Sequence, residues 1–267
     1  VYYPGKKIVN RILALDETDI EVVMEKEVHK ATAICRPAQA TRWYDPQAPL
    51  SRTFCNPMNI SYNFEPFNNN VRPNGSFRSS ADPMAVEYKG EYFLFSTNQG
   101  GFHYSKNLVD WEYVGTAFTD RTRPDFEPNG GLWAPDINKI GDKYVLYYSM
   151  SVWGGELTCG IGCATADKPE GPFTDHGKMF RSNEINVQNS IDPFYIEDGG
   201  KKYLFWGSFR GIYAIELSDD GLSLKDGATL QQVAGTAYEG TYIHKKDGHY
   251  YFFASIGSCC EGLKSTY

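Results

Sequence analysis

The sequence predicts an all-β protein built as a β-propeller. Three observations carry this: an aromatic, glycine-rich composition, a unit that recurs about every 50 residues, and a tight-turn signal at the same place in each unit. The chain has 19 Tyr, 16 Phe and 26 Gly in 267 residues, 15% aromatic in all. Aromatic side chains fit a pleated, half-buried surface and glycines fit tight turns, so many short strands are favoured over a helical bundle. At this length the chain can bury a substantial core.

In chain order, residues 16–33, "DETDIEVVMEKEVHKATA", are acidic early and basic late, with Ile20, Met24 and Val28 on one helical face. A short helix is expected there, with a strand pair through "IEVVM" as the alternative. Residues 36–78, rich in Pro and Asn, read as an extended loop. Residues 1–78 thus form an N-terminal extension, and 79–267 the propeller. Asn59 and Asn74 open glycosylation-acceptor triplets, a pattern common by chance.

The repeating units follow: "ADPMAVEYKGEYFLFS" from residue 81, "APDINKIGDKYVLYYS" from 134, "IDPFYIEDGGKKYLFWGS" from 191 and "YEGTYIHKKDGHYYFFAS" from 238. Each places an acid at the start (Asp82, Asp136, Asp192, Glu239), then a short alternating strand, a turn, and an aromatic strand ending in Ser. The turns Lys89-Gly90, Gly141-Asp142, Asp198-Gly199-Gly200 and Asp247-Gly248 mark four hairpins. If each unit is a blade, the four acids converge on one end of the central channel. Asp136 is expected to bind backbone amides there and to take no direct part in chemistry.

A formal charge of −7 argues against nucleic acid or an anionic membrane surface as partner. No stretch approaches the roughly 20 apolar residues of a membrane span, and no signal-peptide pattern opens the chain. The six cysteines lack zinc-ligand spacing; buried small apolar residues or an occasional disulfide are expected. Axial carboxyls around a pocket suit glycosidic hydrolysis, which needs one protonated carboxyl for the leaving oxygen and one ionised carboxylate to activate water. A third carboxylate nearby can raise its neighbour's pKa; Asp82, Asp192 and Glu239 fill these three places, and the longer Glu239 suits the proton donor. Phe102, Trp133, Trp153 and Trp206 are candidates to stack on sugar rings, and His103 is a candidate polar contact; for each tryptophan, core packing is the competing reading.

The segments "SADPMAVEYKGEYFLFST", "GFHYSKNLVDWEYVG", "LWAPDI", "SIDPFYIEDGGKKYLFWGSF", "GIYAIELS" and "YEGTYIHKKDGHYYFFASIGSCCEGLKSTY" resemble glycoside hydrolase family 43, most closely its arabinanase branch. The resemblance runs from about residue 79 to 267 and implies a five-bladed propeller cleaving arabinose- or xylose-containing polysaccharide with inversion. It implies Asp82 as general base, Asp192 as the residue tuning pKa and orientation, and Glu239 as general acid. It further implies an endo-1,5-α-L-arabinosidase, with exo-acting arabinofuranosidase or β-xylosidase as the alternative and a sugar-binding propeller outside the enzymes. No cofactor is required for such chemistry. A structural calcium ion near the axis is expected in this family, held through a His of a later blade that no residue here supplies. The implied partner is plant cell-wall arabinan or xylan, and the implied location is secreted, periplasmic or cell-surface. Four visible blade motifs fall short of a closed five-bladed ring. Either residues 1–78 supply the missing strands or, as the lack of a matching motif there favours, the fourth blade is expected to continue and a fifth to follow beyond Tyr267.

Overall fold

The computed structural model describes residues 81–97 and 101–257, together with the backbone of three two-residue strands, β1 (Leu13–Ala14), β2 (Thr53–Phe54) and β3 (Asn59–Ile60). The helix expected over 16–33 lies outside the described residues, as do Asn74, Cys35, Cys55, Cys259 and Cys260. The first blade is an antiparallel meander of β4 (Ala81–Tyr88), β5 (Glu91–Thr97), β6 (Gly101–Ser105) and β7 (Asp110–Thr116). Strand β3, within the stretch read as loop, joins its outer edge parallel to β7. The second blade runs through β8 (Gly131–Ile140), β9 (Lys143–Ser151), β10 (Gly160–Ala166) and β11 (Thr174–Arg181), and the one-turn helix α1 (Ser182–Ile185) follows it. The third comprises β12 (Phe194–Asp198), β13 (Lys201–Trp206), β14 (Ile212–Glu216) and β15 (Gln231–Ala234). A last hairpin, β16 (Glu239–Lys246) and β17 (His249–Ser255), is the inner half of a fourth.

Each blade opens on the hairpin its turn residues dictate. Tyr88 faces Glu91 across Lys89-Gly90, whose φ angles of 55° and 80° are both left-handed, as a two-residue hairpin matched to the twist of its strands requires. Gly199-Gly200 and Asp247-Gly248 repeat the pattern, with positive φ at both positions of each.

The core lies between blades. Successive side chains of a strand point to opposite faces, so a strand covered on both sides reads as a continuous apolar run. In β9, Tyr144, Leu146 and Tyr148 enter the cluster shared with the first blade, beside Phe93, Phe95 and Phe102. Val145 and Tyr147 enter the other, beside Tyr195, Leu204 and Trp206 of the third blade. Each fully buried aliphatic or Phe side chain contributes roughly 1.5–3 kcal/mol by leaving water. The inner strands lie side by side, β4 against β8, β8 against β12 and β12 against β16, and so form the wall of the central channel.

Cys159 and Cys163 are buried free thiols, not a disulfide. Among the described residues no helix is long and apolar enough to cross a membrane.

Candidate active site

Three of the four inner strands, β4, β8 and β16, begin with the same irregularity. The pairing of β4 with β5 shifts between Ala81 and Met84, that of β8 with β9 between Trp133 and Asp136, and that of β16 with β17 between Glu239 and Tyr242. The residues within these bulges are left-handed: Asp82 at φ 52°, Ala134 at 43° and Gly240 at 61°. Asp192, just before β12, is at 62°. For a non-glycine residue such a conformation costs about 1–3 kcal/mol and is characteristic of functional sites. Proline follows three of them, at Pro83, Pro135 and Pro193. A residue without an N–H cannot serve the ladder, and a bulge is where a sheet tolerates it. Pro83 and Pro135 lie within bulges, and Pro193 lies just before β12, so none of the three interrupts regular pairing.

This register separates the acids. Asp82 and Asp192 occupy the left-handed position itself, and Glu239 stands one residue before its own. In the second blade that position belongs to Ala134, and Asp136 lies two residues further along the strand. The sequence-based expectation of four acids in one ring is thus corrected to three. Asp136 is 3% exposed, and its Oδ2 accepts the Tyr195 N–H at 2.6 Å and the Asn138 Nδ2–H at 2.9 Å. It ties the second blade to the third through a backbone amide, the role expected for it. Burial pushes its carboxyl up to about 7, against the opposing pull of these two donors.

The other three sense one another. Burial, then the charges of Asp82 and Glu239, hold the Asp192 carboxyl well above the usual range, opposed by a hydrogen bond from the Gly240 amide. Burial and the charge of Asp82 also raise Glu239, and a hydrogen bond from Ser208 Oγ at 3.2 Å opposes them. Like charges gathered at a partly dry site disfavour ionisation, which is how one member of a carboxyl group keeps its proton.

A hydroxyl at the end of the second strand of each blade reaches the start of the next inner strand. Thr97 Oγ1 accepts the Ala134 N–H at 2.7 Å and donates to Asp82 Oδ2. Ser149 Oγ accepts the Asp192 N–H at 2.8 Å, and Ser208 donates to Glu239. The terminal serine of each repeat is visible in the sequence, but its partner is not, because the contact crosses between blades. In the first blade the contact belongs to Thr97, paired with Ala81, and not to Ser96. Gly207, at φ 136°, makes room for Ser208: a Cβ there would lie 2.1 Å from the Gly211 carbonyl oxygen.

The aromatic candidates divide. Trp206 is fully buried, its ring 4.7 Å from Phe180 and its Nε1–H donated to Ser190 Oγ, so it belongs to the core. Phe102 is stacked on Phe95 at 5.0 Å inside the core, and His103 is 1% exposed. These three are placed where a sugar cannot reach, because each side chain is almost completely buried on an interior strand, β6 or β13. Trp133 and Trp153 remain at the surface, 6.4 Å apart, with Trp153 81% exposed. The loop carrying Trp153 is fastened to the third blade: Arg210 grips Glu156 through two bonds of 2.9 Å, and Asn189 N–H donates to the Glu156 carbonyl at 2.7 Å.

Among the described residues no group of three or more His, Cys, Asp or Glu is gathered to hold a metal ion.

Fold and site together define a β-propeller with a carboxyl-lined mouth. The chain belongs to glycosyl hydrolases family 43, whose profile matches residues 76–267. It is 34% identical over 189 residues to arabinan endo-1,5-alpha-L-arabinosidase A of Aspergillus niger, covering 67% of this chain and 59% of that protein. The chain therefore spans about three-fifths of the length of that curated relative. Its fold matches the alpha-L-arabinanase of Cellvibrio cellulosa complexed with arabinohexaose, with a TM-score of 0.64 at 30% identity over 70% of this chain and 68% of that one. An exo-1,5-alpha-L-arabinanase from a bovine ruminal metagenomic library matches with a TM-score of 0.60 at 29% identity, over 70% and 67%.

Proposed function

We propose that the protein is an inverting hydrolase of α-1,5-linked arabinan, acting within the chain. The observation that carries this reading is the electrostatic coupling of Asp82, Asp192 and Glu239 at the mouth of a family 43 propeller. Asp82 takes a proton from the attacking water while Glu239 gives its proton to the departing oxygen on the other side of the furanose ring. The raised affinity of Glu239 for its proton suits an acid; burial raises it first, and the charge of the base adds to it. Asp192 crowds both groups and accepts from the amide of Gly240, so it tunes the pair and steadies the backbone beside Glu239. The chemistry needs only carboxyls and water.

A polymer needs a surface longer than the reacting ring, and the exposed Trp153 beside Trp133 offers apolar faces for successive sugars. The size of such a substrate favours an enzyme that works outside the cell. The named activities of the A. niger and C. cellulosa relatives support arabinan over xylan.

The test is digestion of linear α-1,5-arabinan by the full-length protein, with products followed by size and Glu239→Gln run in parallel. A ladder of oligosaccharides that vanishes with Glu239→Gln, with kcat falling by about 10²–10⁴ and sugar binding retained, is expected. Arabinose as the only product would replace the endo reading by an exo one. Undiminished turnover by the variant would remove Glu239 from its role.

A further inference from the structure

We propose that Thr97 is the positioning residue of the general base: its hydroxyl oxygen, anchored as an acceptor by the Ala134 amide, gives its proton to Asp82. This rests on the reading of Asp82 as the base.

A threonine hydroxyl has one proton to give and two lone pairs to accept with. The Ala134 N–H, 2.7 Å away, occupies a lone pair. The proton goes to Asp82 Oδ2. The Thr97 oxygen is thus held in place from the neighbouring blade: a χ1 rotation that carried it away from Asp82 would also abandon the amide of Ala134, which is only 7% exposed.

Asp82 needs such a hold. Its backbone is fixed in the left-handed region between the bulge and Pro83, but its side chain is exposed, so packing does not choose its rotamer. The Thr97 bond leaves the other carboxylate oxygen to meet the water. Ser149 provides the internal contrast, because its recorded bond is to the Asp192 backbone N–H and so staples two blades without aiming a carboxyl. Thr97 performs the same stapling and adds the bond to the reacting group.

The two roles separate experimentally. Thr97→Val keeps the shape and loses the hydroxyl, Thr97→Ser keeps the hydroxyl, and Thr97→Cys offers only a weak donor, keeping the test open if the valine variant does not fold. With linear α-1,5-arabinan and full-length protein, Thr97→Val is expected to lower kcat by about 10- to 100-fold, the cost of a misplaced reacting group, while KM stays within about twofold. Thr97→Cys should fall on the same side, and Thr97→Ser should recover kcat to within about threefold of the parent. Folded Thr97→Val or Thr97→Cys with parental kcat would overturn the proposal, as would a serine variant as slow as the valine one. Asp82→Asn, measured alongside, separates the two levels of argument. If Asp82→Asn is inactive and Thr97→Val is not impaired, the base stands and the positioning role falls; if Asp82→Asn keeps its turnover, both fall.

Discussion

At the scale of the residue, the site is governed by which carboxyl can keep a proton. Glu239 is raised by burial and by Asp82, and the Ser208 bond works in the opposite sense by favouring the charged form. Removing that hydroxyl in Ser208→Ala should let the Glu239 carboxyl rise further. A general acid is active while protonated, so the alkaline limb of kcat/KM against pH should move to higher pH in the variant. An unmoved limb, or one moved down, would dissociate Ser208 from the acid. Asp82, Asp192 and Glu239 were legible as a group from the Asp-Pro repeats and the resemblance. Ser208 and Thr97 were not: Ser208 meets Glu239 across a blade boundary, and Thr97 reaches Asp82 through the register shift at the start of β4 while accepting from the next blade. Phe102, His103 and Trp206 show the converse: an aromatic or polar residue near an acid in sequence can be buried in the core.

At the scale of the element, the hairpins were the most legible feature. Gly-containing pairs closed by aromatic strands admit few other conformations, and β4–β5, β12–β13 and β16–β17 turn at the residues expected. The bulges were not legible: Asp136 looks equivalent to Asp82 until the pairing of β8 shows Ala134 in that place. The loop carrying Trp153 supplies a prediction at this scale. Its clasp by Arg210 and Asn189 holds the indole out without a folding event, so binding a sugar there loses little further chain entropy. Trp153→Ala should raise KM for arabinan by about 3- to 10-fold, corresponding to an aromatic contact of about 0.5–1.5 kcal/mol, with kcat preserved. Initial-rate kinetics on the polymer check it, and a loss confined to kcat would remove Trp153 from the binding surface.

At the scale of the whole molecule, stability depends on blades docking side by side, and Asp136 makes that docking sensitive to pH. Its carboxyl is pushed up to about 7, so the folded protein keeps a proton that the unfolded chain releases above about pH 4. The stability drawn from this group is fully present below the unfolded value and is lost as pH rises toward 7, at up to about 1.4 kcal/mol per pH unit. Asp136→Asn keeps an acceptor for the Tyr195 amide and cannot titrate. Urea unfolding at pH 4.5 and pH 7 should therefore show a smaller change in stability between the two pH values for the variant than for the parent. Equal changes would mean that Asp136 is ionised in the folded protein throughout this range.

The hydroxyl bridges between blades bear on how such proteins can be recombined. A chimera cut at blade boundaries would carry Asp192 or Glu239 into its new host and leave behind the Ser that meets the start of that inner strand. For the third blade the module of exchange should instead begin before Ser149, on β9, and stop short of Ser208. The heritable unit of this active site is out of phase with the architectural one.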